Sequence, residues 1–172
     1  VAADPLDIVT LTEARTFLNF DDDSSSDDDD ELQGFITALT PVVEAEVGPV
    51  VSRETSDIIY PTGGAVPLPQ WPVVSLTSGV LLHDDSVVDV AGMTADKSML
   101  FMTDGSSLPF EPWTLTYVVG RESIPANIRQ GALEILGLAW ETQRGEGDLP
   151  AFLIPYRAAA WLRPTPALPG FA

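Results

Sequence analysis

The sequence predicts an α+β fold: a single domain in which helices flank a small antiparallel β-sheet, followed by an extended C-terminal tail. Three observations lead there. Residues 114–136, TLTYVVGRESIPANIRQGALEIL, begin as a strand, stop at Gly120 and restart behind Pro125 as a long amphipathic helix. Apolar residues from Leu32 to Val43 recur at helical spacing. Between these helical segments, short β-branched and aromatic runs alternate with proline and glycine, as strands alternate with turns.

Taken in order, the first element is a short helix. Thr12 is the expected N-cap, Glu13 suits the positive end of the helix dipole, and Ala14, Phe17 and Leu18 form an apolar face that ends near Asn19. Asp21–Glu31 reads DDDSSSDDDDE, a low-complexity acidic loop whose like charges repel. The second helix carries Leu32, Phe35, Ile36, Leu39, Val42 and Val43, with the last acids of the run capping it. Pro41 should kink or restart this helix, and Gly48-Pro49 should end it.

Five strands are expected: Ser56–Tyr60, Val73–Leu82, Ser86–Val90, Met99–Met102 and Thr114–Val119. The helix that follows spans Ala126–Arg144. Its stripe is Ile128, Ala132, Ile135, Leu136, Ala139 and Trp140, at i, i+4, i+7, i+8, i+11 and i+12. After a loop at 145–150, a shorter helix is expected over Tyr156–Leu162. The tail 163–172 holds Pro164, Pro166 and Pro169, so it cannot continue that helix. No internal repeat or dividing linker is visible, so 1–172 reads as one domain.

Composition narrows the function. The chain has 172 residues and is 45% hydrophobic and 20% charged, which suits a packed globular domain and argues against wholesale disorder. Its net charge of −18, from 26 acidic and 8 basic residues, disfavours binding to nucleic-acid phosphates or anionic membranes. Without cysteine there is no disulfide, thiolate nucleophile or Cys-based zinc site. The opening residues carry no signal-peptide pattern, and no apolar run approaches a membrane span, so the expected product is made in a cytoplasm.

Each candidate site weakens on inspection. In the acidic run, an EF-hand register starting at Asp21 puts Ser26 at position 6 and Leu32 at 12, while one ending at Glu31 starts at Phe20. Neither supplies the required glycine and ligands. A solvated loop that caps a helix, or one that repels DNA and other copies, fits better. His83 beside Asp84 and Asp85 could serve acid–base or metal chemistry, but no third ligand or nucleophile accompanies it in sequence. Gly120-Arg-Glu-Ser-Ile-Pro lacks the lysine and second glycine of a phosphate loop. No catalytic residue, metal site or cofactor is therefore expected. Of the tryptophans, Trp140 reads as core, while Trp71 and Trp113 sit beside prolines at strand entries where partial exposure is common. The segment from about Phe152 onward carries Tyr156, Trp161, Leu162, Leu168 and Phe171, an apolar set suited to gripping a partner.

Four blocks in order carry a family resemblance: DIVTLTEARTFLNF, then ELQGFITALTPVVEAEVG, then LPQWPVVSLTSGVLL, and last LTYVVGRESIPANIRQGALEIL. They resemble the opening Val-Thr-Leu-x-Glu-Ala helix, the second helix, the Pro-Val strand and the strand-to-helix step of the small head–tail connector (adaptor) proteins of long-tailed double-stranded DNA phages. The blocks cover most of residues 8–145. The acidic run is longer than the family pattern, and the tail after Arg163 does not align. The resemblance implies a non-enzymatic virion protein at the head–tail junction, made in the host cytoplasm. It implies a homo-oligomeric ring, commonly of twelve copies, docked under the portal protein, with a tail-side neck or tail-completion protein as its other neighbour. Phage DNA would pass through without specific binding. Two alternatives stand beside it: a calcium-responsive binding module built on the acidic run, and another neck or tail-completion protein.

Overall fold

The computed structural model describes residues 3–20, 26–61, 63–144, 154 and 156–163. It is a mixed α+β structure with four helices and two small antiparallel sheets among the described residues. Its contacts cluster into two compact units. One, helical, comprises residues 1–47 and 124–172; the other, of strands, is the contiguous stretch Gly48–Ser123.

In the helical unit, α1 spans Leu11–Phe17 and is capped by Thr10, two residues earlier than the expected Thr12. The reason is a reciprocal capping box. The Thr10 hydroxyl accepts from the Glu13 N–H at 3.2 Å, and the Glu13 carboxylate accepts from the Thr10 N–H at 2.8 Å. Only a cap at Thr10 puts glutamate at the third helical position. Helix α2 spans Ser26–Val47 and ends at Gly48-Pro49 as expected.

Two expectations for α2 need correction. The acidic run is not a loop from Ser26 onward: Asp27–Glu31 occupy the opening turns of the helix, where the dipole favours negative charge. Asp21–Ser25 lie outside the described residues. Pro41 does not restart the helix, which continues through it to Val47. It lies on the exposed side and deletes one backbone donor, that for the Thr37 carbonyl, while the turns on both sides stay anchored by buried Ile36, Leu39 and Val43.

Helix α3 spans Ala126–Arg144 and α4 spans Tyr156–Leu162, both at their expected bounds. Ile128, Ala132, Leu136 and Trp140 of the α3 stripe are buried, and Trp140 meets Phe20 and Phe35 edge-on with ring centroids 5.4 and 5.6 Å apart. Gly131, off that stripe, receives α4. A Cβ there would lie 2.9 Å from Leu162, so the glycine sets how closely the two helices approach. The acidic run also ties α1 to α2, because Arg15 Nη1 donates to both oxygens of Asp29 at 2.6 and 2.7 Å.

The β unit has seven strands: β1 Arg53–Ile59, β2 Ala65–Pro67, β3 Val73–Leu81, β4 Val87–Val88, β5 Met93–Asp96, β6 Met99–Met102 and β7 Trp113–Val119. They form two sheets instead of one, ordered β1-β7-β3-β4 and β2-β6-β5. The short strands β2 and β5 were not anticipated. Alternation places Trp113, Leu115, Tyr117 and Val119 of β7 inward, and these join Ile59, Val66, Leu100 and others in one apolar core. Trp113 is fully buried, against the partial exposure expected of it, while Trp71 is about half exposed as expected. The physical reason is register: Trp113 pairs with both Ile59 and Leu81 in the centre of the larger sheet.

Gly120 ends β7 with φ of 108°. A Cβ there would stand 2.5 Å from the Val51 carbonyl oxygen, so only glycine allows the chains to close. Its N–H donates to the Pro72 carbonyl at 3.0 Å, and the Arg121 N–H donates to the Val50 carbonyl at 3.1 Å. Those amides are committed to packing, which is why this turn is a joint and not a phosphate cradle.

Candidate functional site

Within the β unit, the Tyr117 phenol is a part-buried polar group at the margin of the apolar core. It donates to Asp57 Oδ2 at 2.6 Å, and Gln70 donates to Thr55 Oγ1 beside it at 3.0 Å. Burial, reinforced by the hydrogen bond to Asp57, pushes the phenol well above its ordinary value. Held protonated, Tyr117 is a hydrogen-bond donor that seats an inward-facing acid on the edge strand β1. Such an acid also discourages unwanted strand addition.

The larger sheet has one end remote from Gly48 and Ser123, where the chain enters and leaves this unit. There Tyr60 follows β1, Phe110 precedes β7, Leu82 follows β3 and Val87 opens β4. In sheet order the strands they flank or open are neighbours. These residues are 63, 76, 47 and 84% exposed respectively, four large apolar groups in water at this end of the unit. The Leu82 N–H donates to the Pro112 carbonyl at 3.1 Å, fixing the β3 end against the segment that carries Phe110.

His83 is set into this end. Its Nδ1 lies 3.0 Å from Glu111 Oε2 and its Nε2 3.3 Å from Asp84 Oδ2, all three side chains being more than half exposed. Asp84 is held below the usual carboxylate range by hydrogen bonds from Ser86 and, more weakly, by His83. Sequence reading found the His83–Asp84 neighbourhood but missed Glu111, which only the pairing of β3 with β7 brings close. The trio pins two loops together, and no grouping suited to a metal ion exists among the described residues.

The C-terminal residues expected to dock a partner are divided by the fold. In α4, Ala158 and Leu162 (i, i+4) are buried, so Leu162 anchors the helix on Gly131. The adjacent i, i+4 pair is Arg157, 80% exposed at its side chain, and Trp161, 45% exposed. Arg163 follows and is exposed. Asn127 Nδ2 donates to the Trp161 carbonyl at 2.9 Å and fixes that end of α4. The side chain of Tyr156, and Leu168 and Phe171 entirely, lie outside the described residues.

These residues form an exposed apolar, acid-flanked end on the β unit and an exposed Arg157–Trp161 pair on α4. No known family model matches the chain, and no curated protein matches it. Among solved structures the chain has the fold of subunits from gene transfer agent (GTA) particles. One, from the virion of a native GTA particle, aligns with a TM-score of 0.72 at 18% identity over 94% of this chain and 90% of that chain. Another, from the neck of an empty GTA particle computed with C6 symmetry, gives 0.68 at 16% identity over 94 and 91%. A third, from the neck of a native GTA particle computed with C12 symmetry, gives 0.67 at 16% identity over 99 and 96%. No helix among the described residues is long and apolar enough to cross a membrane.

Proposed function

We propose that this protein is a structural subunit of a phage-type virion neck, a head–tail connector that assembles as a ring. The observation that supports it best is the fold match to neck subunits. It runs nearly end to end on both chains, and those assemblies were computed with sixfold and twelvefold symmetry. The four sequence blocks that resemble connector proteins fall on α1, α2, β3 and the β7–α3 step, so sequence pattern and fold point the same way.

On this reading residues 1–172 act as one connector-like domain in a homo-oligomeric ring, with twelve copies as the expected number. The portal protein lies on one side and a tail-side neck or tail-completion protein on the other. DNA passes through the ring without being held: a chain with 26 acids and 8 bases repels phosphates and lets the duplex slide. Docking, to the portal or to a neighbouring copy, falls to the C-terminal segment, through Trp161 and the residues beyond it, with Leu162 securing the helix that presents it. No reaction is required of the protein.

Electron microscopy and native mass measurement of the purified protein, alone and after addition to portal-bearing heads, test the proposal. A ring at the neck and a mass that is a multiple of 18.4 kDa are expected. Heads that bind no copies, together with a strictly monomeric protein, refute it.

A further inference from the structure

Resting on the ring reading, we propose that neighbouring copies meet through two different surfaces: the apolar end of one copy's β unit, and the α4 face of the next. A closed ring requires such a heterologous contact, because each subunit must offer a surface and its complement.

The occupant follows from charge and exposure. The end of the β unit offers Tyr60, Leu82, Val87 and Phe110, flanked by the carboxylates of Asp84 and Glu111. Its complement must be apolar at the centre and cationic at the edge. Few places on a chain of net charge −18 meet that description. Arg15 is held by Asp29 and Arg129 by Glu13, while Arg121 donates to the Pro49 carbonyl at 2.7 Å. Helix α4 does meet it, with exposed Trp161 one turn from Arg157 and exposed Arg163 at the helix end. Arg157 pairs with Glu134 at the long distance of 3.8 Å and is itself 80% exposed, a pairing worth little and readily exchanged. Tryptophan and arginine are the residue types that most often anchor interfaces.

Apolar burial supplies the attraction, and the opposite charges select the pairing against self-docking of like surfaces. Two β-unit ends brought together would oppose Asp84 and Glu111 to their own copies, and two α4 faces would oppose arginines. Only the crossed pairing satisfies both.

The test is a charge-swap cycle on the full chain, read by native mass spectrometry across a concentration series. Glu111→Arg and Arg157→Glu are made singly and together, and Phe110→Ala separately. These side chains are exposed, so melting temperatures should stay near the parent value. Each single swap should raise the concentration for half-assembly by about tenfold or more, and the double swap should recover most of that loss. Phe110→Ala should weaken assembly with no change in its salt dependence. Normal assembly of both single swaps while the parent forms rings overturns the contact and leaves the ring reading standing. Disruption without recovery in the double swap overturns it too, since each surface then faces something other than its counterpart. A parent chain that never assembles removes the ring reading and this contact with it.

Discussion

Replacing Gly120 with alanine strikes the joint between the larger sheet and the segment leading to α3. Two costs can be worked out. An L-residue at φ of 108° carries strain on the order of 1–3 kcal/mol. The added Cβ would also stand 2.5 Å from the Val51 oxygen and 2.8 Å from Ser52 Cα. Those are backbone atoms that cannot rotate away, so the chains must separate. Separation stretches the Gly120–Pro72 and Arg121–Val50 hydrogen bonds, each worth about 1 kcal/mol net. Together the loss is about 3–5 kcal/mol, which for a chain of this size lowers the melting temperature by roughly 10 °C or more. Urea titration followed through the buried Trp113 in the β unit and Trp140 in the helical unit is the assay. Gly34→Ala is the control: its Cβ would meet nothing within 4 Å on the exposed side of α2, so it should stabilise by about 1 kcal/mol. If Gly120→Ala stays within about 0.5 kcal/mol of the parent, the close approach is not what holds this joint.

The other predictions concern stability. Tyr117→Phe leaves Asp57 without its phenol partner and should cost about 1–3 kcal/mol at neutral pH. Because the folded phenol titrates above the unfolded value of about 10, its contribution is intact below that pH and fades as pH rises toward the folded value. Alkaline denaturation curves should therefore be shallower for the phenylalanine variant; equal slopes would remove Tyr117 from the account. Thr10→Ala breaks the capping box and should cost about 1 kcal/mol by thermal melting. Burial opposes ionisation of Glu13, but hydrogen bonds from the Thr10 backbone and hydroxyl, with Arg129 nearby, outweigh it and hold the carboxyl below its ordinary value. That stability is present above the unfolded pKa and is lost as pH falls through the folded one, so Thr10→Ala should flatten the acid limb of a stability–pH curve. Asp29→Asn, which abolishes the bidentate bond to Arg15, should cost about 1 kcal/mol, whereas a freely solvated acid would cost nothing measurable.

The helices most legible in the sequence are those whose apolar spacing and terminators agree. Pro125 starts α3, and Ile128, Ala132, Leu136 and Trp140 mark its buried side, so its bounds could be read directly. β6 was equally plain. The short strands β2 and β5 were not, because Ala65–Pro67 and Met93–Asp96 contain residues that strands usually avoid and exist only as partners of β6. The start of α2 was misread because DDDSSSDDDDE has the composition of a loop. Dipole, a committed Arg15–Asp29 bond and a strongly apolar continuation made its second half a helix. At the candidate surfaces, Trp161 was found from its type, but Glu111 and the burial of Leu162 were not.

Sequence by itself determined the α+β class, the order of helix, sheet and helix, the strongly acidic composition, and the absence of any familiar catalytic pattern. Periodicity and composition are local quantities, and these are properties that local quantities carry. Tertiary structure decided the rest. It split the strands into two sheets, buried Trp113, and turned Gly120 into a packing joint. It brought His83 to Glu111 and divided α4 into an anchoring side and a presented one. Each of those depends on which distant segments become neighbours, and strand register and helix approach settle that only once the whole chain has packed.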